Sequence, residues 1–261
     1  MYIDSHCHLN LPDLAAQLPD VLSRMQAAGV GHALVVAVNL RDWPGLIELV
    51  EQHPHLRASV GVHPDNDPSD DDGVEPTLQD LLTRTQHPKV VAIGETGLDY
   101  SRQSEPLEWQ RDRFRLHIRA AHDSRLPLII HTRAAAEDTI RIMREEGATR
   151  GVMHCFTESW EIAQAALDLG FHISFSGIVT FKNAAALQDV ARKVPLDRML
   201  IETDSPYLSP VPYRGKLNDP SRVIHVAEKI AELRGVPVSA IEHATEENYF
   251  SLFAKANTPH S

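Results

Sequence analysis

The sequence predicts a (β/α)8 TIM barrel in the α/β class, and three observations predict it. Eight short apolar runs rich in β-branched residues alternate with amphipathic segments over 261 residues. Several amphipathic segments open on Pro, and several stop at Gly, as at Gly29, Gly147 and Gly170; these are the residues that start and cap helices. Six of the eight runs end in ionisable residues of the kinds metals bind, and a barrel gathers its chemistry at the C-terminal ends of its strands. The competing architecture is an open doubly wound sheet. No G-x-G-x-x-G follows the first strand, which weakens a dinucleotide-binding reading.

In chain order the predicted strands are Tyr2–Ser5, Ala33–Ala37, Arg57–Val62, Val90–Gly94, Leu128–His131, Gly151–Cys155, His172–Phe175 and Met199–Thr203. Helices are predicted between them near Pro12–Ala28, Pro44–His53, Pro76–Gln86, Pro106–Ser124, Ala134–Glu146, Trp160–Leu169 and Asn183–Lys193. Two more follow, near Pro220–Arg234 and Pro237–Ala256. No linker, repeat or low-complexity tract interrupts the chain, so residues 1–261 are expected to form a single domain.

Composition narrows the function classes. Hydrophobic residues are 43% and charged residues 23%, as in ordinary globular proteins. The formal charge of −11 argues against general nucleic-acid affinity, which needs a basic surface. No apolar run approaches a membrane span and no leader pattern opens the chain; the expectation is a cytoplasmic monomer with no membrane partner. Cys7 and Cys155 imply no disulfide framework and are expected to be small buried hydrophobes, each pointing away from the histidine beside it. The acidic run Asp65–Asp72 lacks the spacing of a calcium loop and reads as a solvated loop.

His6 and His8 stand two apart, so a strand would aim both imidazoles at one point. The other strand ends carry His63, then Glu95 and Asp99, then His131 with Arg133, then His154, then Glu202 and Asp204. Several imidazoles with two carboxylates fit two divalent ions bridged by a carboxylate. Histidine-rich ligation suits zinc or manganese, whereas carboxylate and phosphate also admit magnesium. The plain alternative is a set of barrel-end residues bonded only to each other. Glu202 shares parity with Asp204 and should face the interior, either to orient a ligand or as a paired structural carboxylate.

Six stretches resemble the TatD family of metal-dependent deoxyribonucleases in the amidohydrolase superfamily, and its YcfH-type branch in particular. They are Asp4-Ser5-His6-Cys7-His8, Gly61-Val62-His63-Pro64, Ile93 to Tyr100, His131-Thr132-Arg133, His154-Cys155-Phe156-Thr157 and Glu202 to Leu208, running in family order. The resemblance implies that His6 and His8 bind a first metal, that Glu95 bridges, and that His131 and His154 bind a second. It implies that Asp204 ligates the first metal and takes a proton from the attacking water. His63 matches a histidine near the reacting phosphate, so a substrate or leaving-group contact is expected of it. The loop after strand eight holds Tyr207, Arg214 and Lys216. A base could stack on the tyrosine, and the cations, with Arg133, could meet phosphate. An ordinary basic surface loop is the other reading. Asn218 keeps the family's spacing, while Asp219 stands where relatives often have Glu or Gln.

The implied substrate is DNA, as a strand end or short oligonucleotide trimmed from the 3′ side. Two rivals remain. One is a hydrolase of another ester or amide, such as a small metabolite or an aminoacyl-tRNA ester, because the same barrel suits carbonyl attack. The other is a scaffold that keeps metal only for stability.

Overall fold

The computed structural model describes residues 1–67, 75–101 and 107–257. Eight parallel strands run in sequential order around a barrel: β1 Tyr2–Cys7, β2 Val30–Val35, β3 Leu56–Val60, β4 Val90–Asp99, β5 Leu128–Arg133, β6 Gly151–Met153, β7 His172–Phe175 and β8 Met199–Ile201. Between them lie α1 Pro12–Ala15, α2 Leu18–Ala27, α3 Trp43–Glu51, α4 Leu78–Thr85, α5 Glu108–Ser124, α6 Ala136–Glu145, α7 Trp160–Asp168 and α8 Ala185–Lys193. After β8 come α9 Val223–Arg234 and α10 Val238–Leu252.

The expected barrel is therefore present, with several boundaries moved. The segment expected as one helix over Pro12–Ala28 is two, because Pro19 restarts the helix in the first turn of α2. β4 runs five residues past the expected Gly94, and all ten of its residues are buried. It continues because β5 is long enough to pair with it through Gly97↔His131, Leu98↔Thr132 and Asp99↔Arg133. β6 stops at Met153, so His154 and Cys155 lie just beyond it. The acidic run is described only to Asp67, and its remainder lies outside the described residues.

The main core lies between strands and helices and includes Val35, Val60, Phe114, Ile130 and Phe175. A second cluster packs Ile3, Leu34, Ala92, Ile129, Val152 and Leu200 against Tyr249, Leu252 and Phe253 of α10 and the turn after it. That turn sits under the strand starts: Arg57 Nη2, at the foot of β3, donates to the Ala256 carbonyl at 2.9 Å. The N-terminal end of the barrel is thereby closed, and the opposite end is left for chemistry.

The strands β1 and β8 meet through one isolated bridge, Cys7↔Ser205. Backbone bonds His8 N–H to Ser205 O (2.8 Å) and Asp204 N–H to His6 O (2.9 Å) extend it. Below them side chains replace the ladder. Thr203 donates its N–H to Asp4 Oδ1 at 2.9 Å, and the Ser5 hydroxyl donates to the Ile201 carbonyl at 2.9 Å. Asp4 is fully buried, and burial pushes its carboxyl up to about 8 against the lowering bonds from Thr203 and His6.

Candidate metal centre and active site

The alternation of β1 aims His6 and His8 at one point, as expected: their Nε2 atoms are 3.3 Å apart. Across the seam, Asp204 Oδ1 lies 3.4 Å from His8 Nε2 and 3.7 Å from His6 Nε2. Asp204 has φ +55°, a left-handed conformation uncommon outside glycine but one that Asp adopts more readily than most residues. Its bond to the His6 carbonyl holds it there and turns the carboxylate inward.

Glu95 stands at the centre. Its Oε2 faces His6 Nε2 at 3.2 Å. Its Oε1 faces His154 Nε2 at 2.7 Å, His131 Nδ1 at 3.3 Å and His63 Nε2 at 3.3 Å. Among the described residues, three groups could each hold a metal ion: His6, His8 and Asp204; His6, Glu95 and His154; and His63, Glu95 and His131.

The donor chemistry fits cations. An imidazole offers a metal one lone pair and gives its other nitrogen to an acceptor. His8 Nδ1 faces the Val36 carbonyl at 3.1 Å, His154 Nδ1 faces Glu202 Oε1 at 3.2 Å, and His131 Nε2 faces Asp99 Oδ2 at 3.1 Å. The inward nitrogens are thereby the ones that would face a metal. Burial favours the neutral acid of Glu95, but His154, His63 and His6 outweigh it and hold the carboxyl well below its ordinary range. Burial likewise opposes ionisation of Asp204, and His8, His6 and His154 reverse it. Burial lowers His154, while Glu95 and Glu202 carry it well above the usual imidazole value. Two buried ionised carboxylates are thus balanced by protons on imidazoles, a place that a bound cation would take instead.

A cavity of about 630 Å³ opens over this cluster. His8, His63, Glu95, His131, His154 and Asp204 form its floor, with Asp99, Arg133, Ile178 and Tyr207 among its walls.

With this geometry in place, comparison with known proteins is decisive. The family model described as TatD related DNase matches residues 3–254. The chain belongs to the TatD family. It is 47% identical over 258 residues to the metal-dependent hydrolase YcfH of Escherichia coli K12, covering 96% of this chain and 95% of that protein. It is 42% identical over 258 residues to YabD of Bacillus subtilis, a metal-dependent hydrolase, covering 97% and 99%. Among solved structures, the TatD homologue YjjV of E. coli K12 superposes with a TM-score of 0.90 at 31% identity, covering 97% of this chain and 98% of that one. The protein is a TatD-type metal-dependent hydrolase.

Within this TatD barrel the expected ligands His6, His8, Glu95, His131, His154 and Asp204 do converge, and His63 joins them. Arg133 and Tyr207 line the cavity, and Tyr207 is 57% exposed. Arg214 and Lys216 are not among the lining residues. Both are exposed: the Arg214 guanidinium lies 3.6 Å from the centre of the Phe181 ring, and Lys216 Nζ lies 6.0 Å from that of Tyr213. Asn218 is a brace, its Nδ2 donating to the carbonyls of Thr203 at 3.1 Å and Tyr207 at 2.7 Å. Asp219 pairs with Arg24 at 2.9 Å. Glu202 is buried and takes the Cys155 N–H at 2.7 Å besides facing His154.

Cys7 is a core residue, as expected. Cys155 is not. Strand alternation has ended before it, its φ is +42°, and it lines the cavity with Sγ 3.3 Å from Ser176 Oγ. The residue left without a role by the sequence is Asp99. A signal was there, since Glu95, Gly97 and Asp99 share parity on one strand; ending β4 at Gly94 hid it.

Proposed function

We propose that this TatD-type hydrolase cleaves phosphodiester bonds in DNA strand ends or short oligonucleotides, from the 3′ side, with two divalent ions of zinc, manganese or magnesium. The observation that carries the reading is the division of Glu95: one oxygen faces His6 and the other faces His154 and His131. In this reading His6, His8 and Asp204 would hold one ion and His131 and His154 the other, with Glu95 available to both. Metal bound there would supply an activated water and neutralise charge on phosphoryl oxygens. The chain's own residues do the rest. Asp204, kept ionised, takes the proton of the attacking water. His63 is kept for the substrate: its Nδ1 accepts the Asp65 N–H at 2.9 Å, so a neutral ring carries its proton on Nε2 and presents a donor. Arg133, exposed at the mouth, meets a flanking phosphate, and Tyr207 offers a face to an unpaired base. A cavity of this size takes a nucleotide or two, and the charge of −11 repels a long duplex. We place the protein in the cytoplasm as a single-domain monomer.

The test is hydrolysis of a fluorescent single-stranded oligonucleotide by metal-stripped protein, with magnesium, manganese or zinc restored and Asp204→Asn alongside. Stepwise shortening that needs metal and vanishes in the variant is the expected result. A folded, metal-loaded protein that cleaves no oligonucleotide would overturn DNA as substrate and leave small phosphodiesters and carbonyl esters as the candidates.

A further inference from the structure

His131 differs from its neighbours in how it meets the centre. His6, His8 and His154 face Glu95 or Asp204 through Nε2, whereas His131 faces Glu95 through Nδ1. An imidazole that works through Nδ1 has its far nitrogen pointing away from its own backbone, where something must hold it. The occupant is Asp99, whose Oδ2 lies 3.1 Å from Nε2.

Asp99 is itself tied on every side. Its Oδ1 takes the Ser101 N–H at 2.8 Å and the Ser101 hydroxyl at 2.6 Å. Its backbone N–H donates to Gln110 Oε1 at 2.9 Å, and its carbonyl accepts from Gln110 Nε2 at 3.0 Å. Gln110 is itself buried on α5. One carboxylate oxygen is thus committed and the other is left for His131. Two residues earlier, Gly97 is the strand partner of His131. It has φ +128°, and a Cβ there would collide with the His131 carbonyl oxygen. One face of β4 therefore carries Glu95, then a gap that admits the His131 backbone, then the group that grips the far end of the His131 ring.

We propose that Asp99 is the positioning residue for His131, accepting its Nε2–H and so keeping Nδ1 turned toward Glu95. A carboxylate can only accept from an imidazole N–H, so Nε2 carries a proton and Nδ1 is the nitrogen a metal would meet. The consequence for metal rests on the reading that His131 is a ligand; the grip of Asp99 on Nε2 does not.

Asp99→Asn makes the sharpest test. Ser101 keeps the amide oxygen as its acceptor, so the amide nitrogen is turned to His131 Nε2 and the ring must carry its proton on Nδ1. Nitrogen-15 NMR of the metal-free protein should show a hydrogen-bonded proton on His131 Nε2 in the wild type and none there in the variant. Zinc or manganese titrated by calorimetry should bind one of its two steps about 10- to 100-fold more weakly in Asp99→Asn, the range expected when such a partner is removed. In a His131→Ala background the same substitution should add nothing. An unchanged Nε2 proton, or a variant that lowers melting temperature while leaving both binding steps intact, would overturn the proposal and leave Asp99 a purely structural group. Failure of the wild type to bind any ion would instead sink the metal reading, with the Nε2 proton still deciding the role of Asp99.

Discussion

The Asp4 carboxyl group takes the backbone N–H of Thr203 at 2.9 Å across the seam between β1 and β8, and the Thr203 hydroxyl lies 2.5 Å from its second oxygen. Its Oδ1 also takes the His6 N–H at 3.2 Å. A side chain here does the work of a ladder bond, and the two strands it joins carry His6, His8 and Asp204. The first candidate metal group is thus only as well formed as this seam.

Asp4→Ala should therefore be costly. It strands two buried N–H groups and leaves a cavity, for a loss of roughly 2–5 kcal/mol. Asp4→Asn should cost far less. The carboxyl is pushed up to about 8, so it already carries a proton at neutral pH, and an amide oxygen can accept the same bonds. Urea unfolding of the two variants checks the order; equal losses would contradict it.

Glu202 should matter through His154 rather than through the fold alone. Glu202→Gln keeps the volume and an acceptor for the Cys155 N–H, but offers His154 Nδ1 a weaker partner. Metal affinity should drop by ~10- to 100-fold, as when such acceptors are replaced elsewhere. Competition with a metal-sensitive dye measures it, and circular dichroism should show the fold retained.

Cations around the cavity should divide by place. Arg133 lines the cavity, while Arg214 rests on Phe181. Arg133→Ala should raise KM for an oligonucleotide by roughly tenfold, the loss of about 1.4 kcal/mol of charged contact. Arg214→Ala and Lys216→Ala should change it less than about threefold, within the small range of exposed charge effects. The reverse order would mean that the loop after β8 folds over the site when substrate binds.

Acid should weaken the fold through His117. It is fully buried on α5, takes the Val62 N–H on Nε2 at 3.0 Å and faces the Arg113 carbonyl through Nδ1 at 2.8 Å. Burial is the main cause that lowers it, to about 4; the bond to the Arg113 carbonyl opposes this and the Arg113 charge adds a smaller lowering. The folded state therefore stays unprotonated while the unfolded chain takes up a proton below ~6.5. Stability is full above ~6.5 and falls as pH drops toward 4, by roughly 3 kcal/mol from this residue. His117→Gln should show a shallower loss of unfolding free energy between pH 7 and 4. A parallel decline in variant and wild type would assign the acid sensitivity elsewhere.

Much of this was legible in residue order. Strand and helix alternate with periods that differ, and eight such units close a barrel. His6 and His8 share a strand face by parity alone. The same parity misled at Cys155, because it holds only while the strand lasts, and β6 ends at Met153. It was not followed far enough at Asp99, because the length of β4 is set by its pairing with β5 rather than by its own composition.

The order of residues by itself determined the barrel and the end at which its chemistry gathers, since each follows from local periodicity and side-chain chemistry, while the choice of His6, His8, Glu95, His131, His154 and Asp204 as expected ligands came from the resemblance to the TatD family. Only the tertiary structure decided which nitrogen of each histidine turns inward, that Asp99 faces the far nitrogen of His131, that Asp4 stitches the seam, and that Arg133 rather than Arg214 or Lys216 lines the cavity. Those outcomes depend on groups brought together from distant strands and loops. A hydrogen bond is set by distance and angle in space, and no spacing along the chain encodes either.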